Sequence, residues 1–158
     1  MSARDAVPFG GTAGVHEELR MFDVNFLAVA VAASTFFFGG LWYAPFAFGR
    51  VWAAEAGVLA PGEAPRPGAR AGKPPGGVFA FAIVFSFLGA WAVAWLAGPH
   101  PSLTSALRVG ATAGFGVAAT SFGINYQFAA HSWRLYAIDA GFCGVMFTLF
   151  GLVIGLFG

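Results

Sequence analysis

Asp139 is the one acidic side chain clearly inside an expected apolar span of this chain, roughly one turn from its start, and it has polar company. Asn125, Tyr43, Trp42, Arg50 and Tyr136 fall near the ends of the same or other apolar stretches. A carboxylate surrounded by amide, phenol, indole and guanidinium groups could do two kinds of chemistry. It could fasten helices through hydrogen bonds where water is scarce, or it could take up and release a proton. Ionisable groups are expensive in hydrocarbon, so those that stay there are functional candidates. A simpler account also covers Asp139, because the macrodipole favours negative charge near a helix start. Tyr136 and Asp139 are three apart and share a helix face. Arg134 precedes Asp139 by five positions and falls off that face, which leaves Arg50 as the better-placed cation. Asp139 is therefore expected to bond Asn125, Tyr43 or a helix-end amide.

These residues need elements to position them, and the charge pattern supplies four. The chain is uncharged between Asp23 and Arg50, from Pro74 to Leu107, between Arg108 and Arg134, and after Asp139. Crossing a hydrocarbon core of ~30 Å takes about 20 apolar residues as a helix, which each stretch can supply. The runs are continuous rather than alternating, which excludes a membrane β-barrel. In lipid the backbone must satisfy its own hydrogen bonds, so such runs are helices. Composition agrees: 58% of residues are hydrophobic and 9% charged, against about 25% charged in soluble proteins. The expected fold is all-α, a polytopic membrane four-helix bundle over residues 22–158, with spans at about 24–47, 78–98, 109–128 and 135–157. Residues 1–21 are expected to form a disordered N-terminal extension, and Met21 could itself be an initiator. After Arg50 a short interfacial helix over 51–56 gives way to Pro61, Pro65, Pro67, Pro74 and Pro75, which exclude regular structure.

Topology then brings the ends of the first and third spans and the start of the fourth to one membrane face. Trp42, Tyr43, Asn125, Tyr126, Gln127, His131, Arg134, Tyr136 and Asp139 come to one level. Arg50, Arg66, Arg70, Lys73 and Arg134 lie on that face, and Arg4, Arg20 and Arg108 on the other. The basic excess places the proline-rich 50–77 loop in the cytoplasm. Gly110, Gly114 and Ala118, with Gly151 and Gly155, form small-residue stripes that let helix backbones approach closely. Their partner is either another helix of this chain or a second copy.

Catalytic signals are missing. The chain has no glycine-rich phosphate loop, His-Glu-x-x-His, cysteine pair or nucleophile elbow. No catalytic, cofactor or metal residues are assigned, and the protein is expected not to be an enzyme. A net charge of +1 points to no nucleic acid, and the lone Cys143 cannot form an internal disulfide. The expected partners are the lipid bilayer and either further copies of the chain or a larger membrane complex. The leading expectation is a non-enzymatic packing or accessory subunit. The alternative is a small-solute or proton-coupled transporter or channel working through the cluster around Asp139.

Four ordered motifs carry a family resemblance over about Phe22 to Gly158. They are Asn25-Phe26-Leu27-Ala28-Val29, then Trp42-Tyr43-Ala44-Pro45 with Phe48-Gly49 and Trp52, then Asn125-Tyr126-Gln127-Phe128, then Ile138-Asp139-Ala140-Gly141. The chain resembles domain-of-unknown-function family 1761, small four-helix bacterial membrane proteins. The resemblance implies a multi-pass protein of the bacterial inner membrane and no established activity. Members often carry Tyr-His or a similar pair after the last motif, where this chain has Phe142-Cys143. No polar role passes to those two positions.

Overall fold

The computed structural model describes residues 24–58, Ala64 and residues 77–158. The expected N-terminal extension and most of the proline-rich loop, with Arg4, Arg20, Arg66, Arg70 and Lys73, lie outside the described residues. The regular elements within them are all helical: α1 (Phe26–Ala33), a 3-10 turn (Ser34–Phe37), α2 (Phe38–Trp42), α3 (Gly49–Glu55), α4 (Gly77–Ala97), α5 (Leu103–Ala111), a π segment (Thr112–Ala118), α6 (Ala119–Phe128) and α7 (Trp133–Phe157). Several join end to end, giving continuous rods over 26–42 and 103–128. Two helices, α4 and α7, are long and apolar enough to cross a membrane, and Phe26–Trp42 is apolar but shorter.

Local chemistry sets three of the helix starts. The Asn25 carboxamide oxygen accepts the Leu27 and Ala28 N–H groups at 3.1 Å each, capping α1. Ser102 caps α5 by accepting the Ser105 N–H at 3.2 Å, and Ser132 caps α7 by accepting that of Leu135 at 3.1 Å. The third rod thus begins at Leu103, earlier than the expected 109, and carries Arg108 within it. The first rod ends at Trp42 rather than near Ala47, because Ala44 precedes Pro45, where the helical region is disfavoured.

The chain reverses there in a tight turn, with the Phe48 N–H donating to the Trp42 carbonyl at 3.1 Å and the Gly49 N–H to that of Ala44 at 3.1 Å. A Cβ on the buried Gly49 would run into the Tyr43 carbonyl oxygen and come within 2.9 Å of that of Ala44. Both obstacles are backbone and cannot swing away. Gly49→Ala is expected to destabilise the protein by about 2 kcal/mol. Gly40→Ala, where an added Cβ meets nothing within 4 Å, should leave the unfolding midpoint in detergent within a degree or two.

Helix α7 lies at the centre and touches every other helical segment. Its Phe150 and Ile154 meet Val29 and Ala32 of α1, Ala90, Val93 and Ala94 of α4, and Ala106 of α5 in one apolar core. The Asn25 Nδ2 donates to the Phe157 carbonyl at 2.8 Å, tying the start of α1 to the end of α7.

The small-residue stripes pack within the chain. A Cβ on Gly110 would run into the Phe147 carbonyl and lie 3.1 Å from the Gly151 Cα, and one on Gly114 would lie 2.8 Å from the Gly144 carbonyl oxygen. A Cβ on Gly151 would strike the Ala106 carbonyl, and one on Gly155 would sit 2.8 Å from the Leu103 Cα. The partner left open by the sequence is another helix of the same chain. Ala118 ends the stripe half-buried.

Candidate functional site

The site is assembled from three helices. The last residue of α2 and its C-cap deliver Trp42 and Tyr43, α6 delivers Tyr126, and α7 delivers Ile138 and Asp139. The Tyr43 hydroxyl donates to Asp139 Oδ1 at 2.7 Å, and the Tyr126 hydroxyl donates to Oδ2 at 2.6 Å. Each carboxylate oxygen therefore holds one phenol from a different helix, at the short separations typical of hydroxyl-to-carboxylate bonds. One residue earlier, the Ile138 carbonyl accepts the Trp42 indole N–H at 3.1 Å.

Aromatic packing fixes these donors. Trp42 lies against Phe48 with ring centroids 4.7 Å apart, and Tyr43 against Trp52 at 5.5 Å and Phe142 at 5.3 Å. The edge of the Trp42 indole passes 3.4 Å from where a Gly141 Cβ would stand. Within Ile138-Asp139-Ala140-Gly141, the carbonyl, the carboxylate and the missing Cβ thus all receive Trp42-Tyr43. On the other side Tyr126 packs on His131 at 4.9 Å and on Tyr136 at 6.4 Å. His131 is exposed and lies in the short link between α6 and α7, where Ala130 takes a positive φ of 54°.

The structure brings Asp139, Tyr43 and Trp42 into direct contact, and places Tyr136 one turn away against Gly123 and Tyr126. It does not bring Asn125 or Arg50 into that set. The Asn125 Nδ2 donates to the Ser121 carbonyl of its own helix at 2.9 Å, and the side chain is exposed. Adjacent helical residues point about 100° apart at 3.6 residues per turn. Tyr126 faces α7, and Asn125 consequently turns away. Arg50 is exposed on α3 and forms no ion pair with Asp139 among the described residues. Arg134 instead approaches Glu55 of α3 at 3.7 Å, in a pair with its cation largely in the open, which contributes little.

Topology places Tyr126 at this end of the bundle without distinguishing it from its neighbours. The available signal was its place in Asn125-Tyr126, where one of two neighbours must face the bundle. The helix-dipole account of Asp139 weakens as well. Because α7 begins at Trp133, Asp139 lies beyond the first turn, where the dipole's influence has fallen off. No set of three His, Cys, Asp or Glu side chains converges on a metal site among the described residues. A half-buried carboxylate held by two phenols can act as a three-helix fastening or as a proton acceptor.

Fold and site together define an all-helical protein with membrane-length apolar helices and one polar fastening. The chain belongs to the family described as protein of unknown function (DUF1761), whose model matches residues 27–155. Comparison with curated proteins and with solved structures found no match.

Proposed function

We propose that this protein is a multi-pass membrane protein with four spans, acting without catalysis as a packing or accessory subunit in a homo-oligomer or a larger membrane complex. The observation that carries the reading is the outer face of α4. Only 22% of its apolar stretch is buried, whereas the core helix of a soluble protein would be mostly covered. Phe79, Phe81, Phe85, Trp91 and Trp95 all stand exposed along it. Water would not tolerate that face, so lipid or another protein must cover it. Phe115, Val117, Ile124 and Phe128 stand exposed along the third rod as well. The carboxylate of Asp139 is occupied on both oxygens, which suits a fastening better than an open path. Because the glycine stripes are used inside the chain, a second copy or partner would meet a different face.

The accompanying topology is a bacterial inner membrane with the 50–77 loop in the cytoplasm. In right-side-out cells, a cysteine introduced at Ser102 should react with an impermeant maleimide in a Cys143→Ala background, and one at Ala64 only after lysis. The reverse pattern would invert the orientation. Native mass measurement in nanodiscs should give more than one copy or a co-purifying membrane subunit. A lone monomer with no partner would refute the assembly role. The transport reading has one observation in its favour, the contact from Asp139 through Tyr126 to the exposed His131. Saturable uptake into proteoliposomes, abolished by Asp139→Asn, would reverse the order of the two readings.

A further inference from the structure

Between the end of α4 and the third rod runs a cleft of about 360 Å³, lined by Leu96, Arg108, Val109, Thr112, Ala113 and Val117. Its walls are apolar apart from Thr112, and its only charge is Arg108. That guanidinium is exposed and forms no hydrogen bond or ion pair with a described residue. Thr112, Ala113 and Val117 belong to the π segment, a backbone irregularity that is rare and frequent at functional sites. At the α-helical rise of 1.5 Å per residue the rod advances at most about 13.5 Å from Arg108 to Val117, and the π segment shortens this. That is close to the depth of one leaflet, half of a ~30 Å core.

We propose that this cleft binds one anionic phospholipid, with its phosphate on Arg108 and an acyl chain along Leu96, Val109, Ala113 and Val117. Charge complementarity selects the occupant. A planar guanidinium grips phosphate through two parallel hydrogen bonds, and an uncharged groove leading away from it suits a hydrocarbon tail. A long arginine stem near a helix end also reaches the headgroup level without exposing its charge to hydrocarbon. The inference rests on the membrane reading above, and its test separates the two.

Delipidated protein in detergent is titrated with phosphatidylglycerol or phosphatidylcholine and weighed by native mass spectrometry. One phosphatidylglycerol should be retained about tenfold more tightly than phosphatidylcholine, whose identical phosphate is offset by a choline cation that Arg108 repels. Arg108→Gln should abolish that preference. Val117→Trp, which fills the groove without changing charge, should weaken retention of both lipids. Arg134→Gln, at the other end of the rods and paired with Glu55, should change neither. Equal losses in Arg108→Gln and Arg134→Gln would reduce the effect to diffuse charge attraction and overturn the site. So would an unchanged preference in Arg108→Gln with an unchanged thermal midpoint. The same preparations are reconstituted into vesicles and washed with carbonate. Protein that stays with the vesicles but shows no lipid preference loses this inference alone, whereas protein soluble without detergent loses the membrane reading too.

Discussion

Asp139→Leu is expected to destabilise the protein by about 3 kcal/mol, because it strands two phenolic donors at once. Hydrogen bonds to charged groups contribute about 1.5–3 kcal/mol each in soluble proteins. In membranes the average per interhelical bond falls to about 0.6 kcal/mol, because the unfolded chain finds other partners. Two short bonds to one carboxylate, converging from two helices, place this site toward the upper end. Tyr43→Phe and Tyr126→Phe should each lose about 1 kcal/mol by the same reasoning. The decisive measurement is the triple variant. With both tyrosines already phenylalanine, Asp139→Leu leaves no stranded donor, so its added effect should shrink to well under half that in the native background. Unfolding in detergent, followed by circular dichroism or steric trapping, reads this directly. An undiminished effect would mean that the phenols do not act on Asp139, and the fastening would fall.

Gly151→Leu should be at least as damaging, at about 3 kcal/mol, with the third rod displaced from α7. A Cβ at this position strikes the Ala106 carbonyl and lies 3.2 Å from the Leu107 Cα. Overpacking typically costs about 1–3 kcal/mol when side chains can shift. Here the obstruction is backbone, so the helix must move as a body and surrender the Gly110 and Gly155 contacts with it. Gly40→Leu, facing open space, is the matched control for added bulk. The site of the damage also matters. A stripe that serves the monomer lowers the unfolding midpoint at every protein concentration, whereas a stripe that joins two copies would change the oligomer first.

The helical class of the chain and the shared end at which Trp42, Tyr43 and Asp139 gather were readable without coordinates, whereas the start of the third rod was not. Uninterrupted apolar runs admit only helices, and Ser102 and Ser132 cap by contacts within three residues of themselves. The charge of Arg108 nonetheless draws the expected boundary inward to 109, past the cap at Ser102. The Trp42-Tyr43 and Asp139 motifs were both visible, since polar side chains in apolar stretches announce themselves by type.

The choice between Tyr126 and Asn125 as the partner of Asp139 was settled by packing. One residue is about 100° of helix rotation, and only the seating of α6 on α7 fixes that angle. The same holds for Arg50, which topology carried to the correct end but α3 turned outward. Whether the glycine stripes met a neighbour in the chain or a second copy depended on long-range approach, to which spacing is blind. Identity and order of residues thus determined that the described elements are helices and near which helix ends their polar groups fall. Tertiary structure alone decided which faces meet, because rotation about a helix axis is governed by the whole set of contacts and by no local one.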